Sequence, residues 1–336
     1  MRTLLLLLCA LALAAPAFGA KTLDIYFVDV EGGQATLIVS PDRQSILVDT
    51  GWPGFEGRDA SRIHAAAKDA GVKRIDYLVT THYHTDHVGG IQQLLEKLRV
   101  VTFVDHGPNV ETSKSANELT AMYEKAVQTG KRLTVKPGDK LPLKGIDVGI
   151  VTANGERVSR ALSGGGAANP ACTGAGEYKD DPTENARSVG FVLSYGKFRF
   201  INLGDLTAKK ELELACPENR IGPVDVYLTT HHGLETSNAQ PIVHGLRPRV
   251  AIMNNGAKKG GSPVAWRIIR DSPELEDIWQ LHFALAGGKD TNTSEPMIAN
   301  LEPNCAGRYI RLSASRDGSF TVTNARNNYS KTYAAR

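Results

Sequence analysis

The chain has 336 residues, with 39 lysines and arginines against 36 aspartates and glutamates, for a formal charge of +3. So small an imbalance excludes the strong basic field of a dedicated nucleic-acid binder and argues mildly against long DNA as a substrate. The length suits one large domain or two smaller ones.

Residues 1–20 (MRTLLLLLCALALAAPAFGA) read as a secretory signal peptide. Arg2 is the charged start, 4–15 the apolar core, and small residues near 17–20 the cleavage region. The apolar run is too short for a membrane span and ends at Pro16. Leucines precede Cys9, where a lipoprotein signal needs small residues. The sequence therefore predicts a secreted or periplasmic protein, with no membrane attachment after cleavage. Residues 21–336 are expected to form a single domain, because ligand-type motifs run from 49 to 232 without a linker. Nothing in the sequence speaks to oligomeric state.

Stretches 23–30, 35–40 and 45–49 read as successive antiparallel strands with short polar turns. Residues 60–70 form an amphipathic helical pattern, and 75–80 (IDYLVT) a buried strand. Next come His82-Tyr83-His84-Thr85-Asp86-His87, then a glycine pair and a helical stretch over 91–98. Three imidazoles and a carboxylate thus share six positions at the end of a rigid strand. Imidazole and carboxylate are the usual ligands of zinc and related divalent ions. His82 and His84, two apart, face the same side of an extended segment and suit one metal. Asp86 and His87, after the chain turns, suit a second. Two ions about 3.5–4 Å apart form a clamp that activates water and stabilises both oxygens of a displacement.

Further along, 113–129 is a helix with Ser113 or Ser115 as cap. Stretch 140–151 reads as a strand pair turning at Lys144-Gly145. Residues 159–187, with three consecutive glycines and two prolines, are a long irregular loop, either covering the metal site or forming a surface insertion. The apolar strand 198–203 runs into Asp205, and 224–230 into His231-His232-Gly233. The strand 45–49 ends in Asp49, with Gly51 close behind. The same design thus appears four times: an apolar strand, then a ligand-type residue, then glycine or a turn. Helices are expected at 239–245 and 264–270, and strands at 250–254, 278–284, 309–314 and 319–323. Lys258-Lys259-Gly260-Gly261 lies in a loop between strand and helix, as an anion-holding pair or a solvated loop. Past the signal segment the chain keeps Cys172, Cys216 and Cys305; two are expected to pair, with the choice open.

The motifs HYHTDH (82–87), VDTG (48–51), LGDL (203–206) and THHG (230–233) resemble the metallo-β-lactamase-fold superfamily in order and spacing. FVDVEGGQATLIVSP (27–41), TTHYHTDHVGG (80–90) and VYLTTHHGLETS (226–237) are similar to its competence (DNA-uptake) type branch of secreted hydrolases. This resemblance implies an α+β fold, a four-layer αββα sandwich with the metal site at one edge of two sheets. It implies His82 and His84 on one metal and Asp86 and His87 on the other. Asp205 would bridge, and His231 or His232 would complete the second site. Asp49 would orient a histidine ligand. Two zinc ions per chain are expected, with manganese or iron as alternatives. Two departures stand out. Many members place another histidine before the bridging aspartate, but none lies between His106 and Asp205. Asn185, Ser188 and His106 are the candidate substitutes, with a water as the other option. Also, Glu31-Gly32-Gly33 stands where the branch commonly has a Gly-Gln-Gly turn.

The activity this implies is hydrolysis by a water that the metals acidify, with Asp86 or Asp205 positioning it. The unliganded one of His231 and His232 would meet the substrate; with His231 as ligand, that is His232. The resemblance leans toward a small-molecule phosphoester or phosphodiester. A β-lactam or lactone ring hydrolase and a non-catalytic metal-binding protein are the alternatives.

Overall fold

The computed structural model describes residues 21–336; the segment read as a signal peptide lies outside the described residues. Among these residues two nine-stranded sheets face each other. Strict alternation along each strand separates their faces. In Ser45–Val48, Ile46 and Val48 point into the core between the sheets, while Leu47 points to the helix side. The inter-sheet core joins Phe27, Val79 and Val104 of the first sheet to Phe191, Phe200 and Ile252 of the second. Outside the first sheet, Ile63, Leu94 and Tyr123 come from helices Arg58–Asp69, Ile91–Leu95 and Lys114–Val127. Outside the second, Leu214, Ile242 and Ile269 come from helices Ala208–Ala215, Gln240–Leu246 and Pro263–Arg270. Three apolar layers between four layers of elements make the αββα sandwich that the sequence predicts.

The strands that carry site motifs belong to a parallel set in each sheet. Ser45–Val48, Arg74–Val79, Arg99–Asp105 and Lys131–Thr134 form one parallel set. Phe198–Asn202, Val226–Leu228, Val250–Met253, Asp277–His282 and Ile298–Asn300 form another. Parallel order puts the C-terminal ends of each set on one edge, so residues that follow different strands can meet there.

Most expected elements shift by a residue or two. Helix Lys114–Val127 is capped by Ser113, whose side chain accepts the Ala116 N–H. The first strand is shorter than predicted: it stops at Phe27, and residues 28–33 turn away as a buried loop with Glu31 at φ 58°. The long loop resolves into two parts. Its first half is pinned by the Cys172–Cys216 disulfide and by pairing of Ala167–Ala168 with Glu218–Asn219, leaving Cys305 as the free cysteine among the described residues. Its end, the short turn Glu184–Arg187, delivers Ser188 to the metal loop. No helix among the described residues is long and apolar enough to cross a membrane.

Candidate metal centre

Three loops close the site. After strand Arg74–Val79 the chain stays extended through His84 and then turns into helix Thr85–Val88, which carries Asp86 and His87. After Phe198–Asn202, Gly204 at φ +58° turns the chain so that Asp205 faces inward. A Cβ at this glycine would stand 2.9 Å from Thr81 Cβ and 3.1 Å from Ser188, so only glycine lets the two loops touch. After Val226–Leu228, His231 and His232 both adopt left-handed backbone, at φ 52° and 55°. Such strain in consecutive non-glycine residues gathers at functional sites.

Donor atoms of Asp86, His87, Asp205 and His232 all lie within 4.8 Å of one another, and all four residues are buried. Asp205 Oδ2 is the hub: it stands 3.1 Å from His87 Nε2, 3.4 Å from His231 Nε2 and His232 Nε2, and 4.0 Å from His82 Nε2. Asp86 Oδ2 is 3.2 Å from both His87 Nε2 and His232 Nε2. His82, fully buried, has its ring centre 4.1 Å from that of His87, the two planes tilted by 50°. The structure therefore brings His232 into the four-donor set and places His231 at its edge. His84 lies outside that set. Its ring is 4.7 Å from that of His82, but its Nε2 is 2.9 Å from Glu111 Oε1, on a side chain 30% exposed.

Behind the donors sits a layer that orients them. Asp49 accepts the Thr81 N–H and hydroxyl, both at 2.7 Å, and stands 2.8 Å from His87 Nδ1. The Thr81 hydroxyl also lies 3.1 Å from His82 Nδ1. Ser188 Oγ is 3.5 Å from His82 Nδ1 and accepts the Asp205 N–H at 3.1 Å. The Asn254 amide is 3.2 Å from His232 Nδ1 and bonds Gln34 in turn. Thr236 and Ser237 hold His231 Nδ1. Of the three candidates for the missing histidine, Ser188 alone touches a site histidine. His106 Nε2 is instead 3.0 Å from buried Glu184, and Asn185 Oδ1 is buried without a partner. Thr81, Asn254 and Gln34 carry no spacing signal, since their contacts span different loops.

The donor chemistry and two orphaned atoms fit a metal. His82 Nε2 and His232 Nε2 are buried without a properly aligned hydrogen bond, although carboxylate oxygens are close. Burial alone would raise Asp205, but His232, His87 and His231 hold it well below the usual carboxylate range. Burial and the neighbouring His87 keep His82 far below the usual imidazole value, hence neutral and able to coordinate.

Glu211 braces the histidine turn from behind. Fully buried, it accepts the N–H groups of Asn238 (3.1 Å) and Ala239 (2.9 Å). Burial pushes its carboxyl up from 4.5 to about 7 against those donors. The folded state thus holds this proton more tightly than the unfolded chain. The resulting stability, on the order of 3 kcal/mol, is fully present below pH 4.5 and is lost as pH rises through 7. Denaturant titrations from pH 4 to 8 should show that decline in the wild type and its absence in Glu211→Gln. Parallel pH profiles would refute it.

An αββα sandwich with a histidine–aspartate cluster at the strand-end edge is the metallo-β-lactamase type of fold, with a candidate metal centre. Residues 28–183, a little under half of the chain, match the Metallo-beta-lactamase superfamily. The chain is 25% identical over 248 residues to ComE operon protein 3 of Bacillus subtilis (strain 168), covering 69% of this chain and 28% of that protein. It is 26% identical over 254 residues to Recombination protein 2 of Haemophilus influenzae, covering 75% and 26%. It thus spans about a quarter of the length of these curated relatives. Among solved structures it is similar to the metallo-beta-lactamase fold protein YhfI from Bacillus subtilis. That match has a TM-score of 0.47 and 10% identity, covering 76% of this chain and 95% of that one.

Proposed function

We propose that the protein is a secreted, dizinc-dependent hydrolase of phosphoesters or phosphodiesters. The carrying observation is the convergence of Asp86, His87, Asp205 and His232, flanked by His82 and His231, beside one lysine. Lys259 contacts Asp86 and lies 5.0 Å from the centre of the Trp52 ring, 31% exposed. An ammonium at the rim suits an anionic substrate better than a neutral ring. The similarity to two competence-type proteins supports the same branch.

His82, Asp86, His87, Asp205, His231 and His232 would hold the ions, with His84 adding a donor if it leaves Glu111. Divalent ions bound here supply an acidified water and neutralise charge that develops on the substrate. The chain's own contribution is orientation. Asp49 and Thr81 fix the tilt of His87 and His82, and Asn254 fixes His232. Asp205, kept ionised by three imidazoles, positions the water for attack. Lys259 receives the substrate's non-bridging oxygens. Thr236 and Ser237 hold His231, partly exposed at the edge, by its Nδ1.

The test is turnover of bis-p-nitrophenyl phosphate and of nitrocefin by the same sample, before and after chelation and zinc return. Phosphodiester cleavage that chelation abolishes and zinc restores is the expected result. Nitrocefin turnover alone would replace the proposal with a ring hydrolase. Turnover of neither by zinc-loaded protein would replace it with a binding protein.

A further inference from the structure

A second group of metal-type donors lies outside the histidine–aspartate centre. Asp29 and Glu31 sit in the buried loop after strand Leu23–Phe27, His282 ends strand Asp277–His282, and Cys305 precedes strand Ile310–Ala314. One donor atom from each lies within 4.8 Å of the others. His282 Nε2 is 2.9 Å from Asp29 Oδ1 and 3.6 Å from Glu31 Oε2. Cys305 Sγ is 3.8 Å from His282 Nε2, 3.4 Å from Asp29 Oδ2 and 3.5 Å from Glu31 Oε1. With metal–ligand distances near 2.0–2.3 Å, the ligands of a tetrahedral ion stand roughly 3.3–3.8 Å apart. The gaps to His282 run to Asp29 Oδ1 and Glu31 Oε2, and those to Cys305 run to Asp29 Oδ2 and Glu31 Oε1. All but Asp29–His282 have about that size, so a metal would turn the carboxylates and spread that pair slightly.

Two features separate this group from an ordinary surface ion pair. Asp29 and His282 are fully buried, and the side chain of Glu31 is 20% exposed. The group also joins three ligand chemistries: imidazole, thiol and carboxylate. Arg62 is the cation packed directly against it, while Arg58, paired with Asp59, stands 3.9 Å from Glu31 Oε1. The Arg62 guanidinium bonds Asp29 Oδ2 at 2.9 Å and Glu31 Oε1 at 3.1 Å. Those bonds take one oxygen of each carboxylate; Asp29 Oδ1 and Glu31 Oε2 are the oxygens near His282. Gly307 is what lets Arg62 lie there, because a Cβ at that position would come within 2.0 Å of its Nε. Two carboxylates and a thiolate carry three negative charges, and Arg62 with a divalent ion carries three positive ones. A divalent ion that displaces one proton from His282 and one from the Cys305 thiol leaves the charge of this buried cluster unchanged.

We propose that Asp29, Glu31, His282 and Cys305 form a second metal site that takes one zinc-class divalent ion. Four protein ligands with no open position mark a structural site, and the mix of sulfur, nitrogen and oxygen favours zinc over magnesium or calcium. Asp29, Glu31 and Cys305 flank strands of the first sheet, while His282 belongs to the second. The ion would clip the two sheets together at the loop that also packs on the histidine–aspartate centre, where Gln34 accepts a bond from Asn254.

Cobalt substitution tests this directly, because the histidine–aspartate centre has no cysteine and cannot give a sulfur-to-cobalt charge-transfer band. Cobalt-loaded full chain, with the Cys305 thiol confirmed free, is expected to show that near-ultraviolet band. Cys305→Ser should lose the band and hold one ion fewer per chain by elemental analysis, while retaining phosphodiester turnover. Asp205→Asn should keep the band, which separates this site from the hydrolytic one. Absence of the band in the wild type, or its persistence in Cys305→Ser, would overturn the proposal. If Cys305→Ser does not fold, the wild-type spectrum and metal count still decide it.

Discussion

Asp205→Asn is expected to strip the histidine–aspartate centre of its ions and to lower phosphodiester turnover by roughly a thousandfold or more, the scale on which organising groups at a reacting centre act. The substitution keeps shape and removes one charge. That charge lies within 4.0 Å of four imidazoles and within 3.4 Å of three. Without it, the ions would lose the carboxylate that stands within reach of all four imidazoles. The fold should survive, because Leu203 and Leu206 on either side are buried in the helix-side core of the second sheet. Asp49→Asn gives the scale for comparison. It touches no substrate and acts through His87 and Thr81, so a loss of about 10–100-fold is expected, as for other groups behind a metal ligand. Metal content, turnover and far-ultraviolet circular dichroism on both variants check the pair. Full metal content and near-wild-type turnover in Asp205→Asn would contradict the assignment of Asp205 as the hub.

The parts of the site legible in the sequence are those that follow a strand. Each apolar run ends on one edge of its sheet, so Asp49, the 82–87 motif, Asp205 and His231-His232 could be placed together from order alone. The parts that were not legible join distant loops. Gln34 and Asn254 are 220 residues apart. No periodicity links such pairs; only the closed fold does. The choice between His231 and His232 was open for a related reason. Both adopt left-handed backbone, so their side chains leave the turn in directions that spacing does not reveal. The same holds for Asp29, Glu31, His282 and Cys305, where three elements contribute one or two donors each.

The elements missed in the sequence were mostly those without a clean pattern. Gly190–Tyr195 follows directly on the irregular loop and is buried at nearly every position, so no alternation marks it. Arg99–Asp105 has a continuous apolar centre, and Ser330–Tyr333 is a short polar strand at the edge of its sheet. For Ser330–Tyr333, pairing with Phe320–Asn324 decides the structure where no apolar pattern marks it.

Lys259 is where substrate chemistry can be tested apart from metal binding. Its ammonium contacts Asp86 and lies against Trp52, carried by a loop whose Gly260 packs on the His232 carbonyl. With Asp86 engaged by a cation, that ammonium is the positive group at the rim left to meet an anionic substrate. A hydrogen bond to a charged partner contributes about 1.5–3 kcal/mol, so Lys259→Met should lower kcat/KM for a phosphodiester by roughly 10–100-fold. The loss should fall mainly on KM, because the contact is made in the ground state as well as in the transition state. Lys259→Arg should restore part of it, and added salt should weaken the wild type more than the methionine variant. A neutral ester hydrolysed at the same centre should lose little in either variant. Equal losses on the neutral and anionic substrates would mean that Lys259 serves only to balance Asp86, and the preference for phosphoesters would have to rest on other groups.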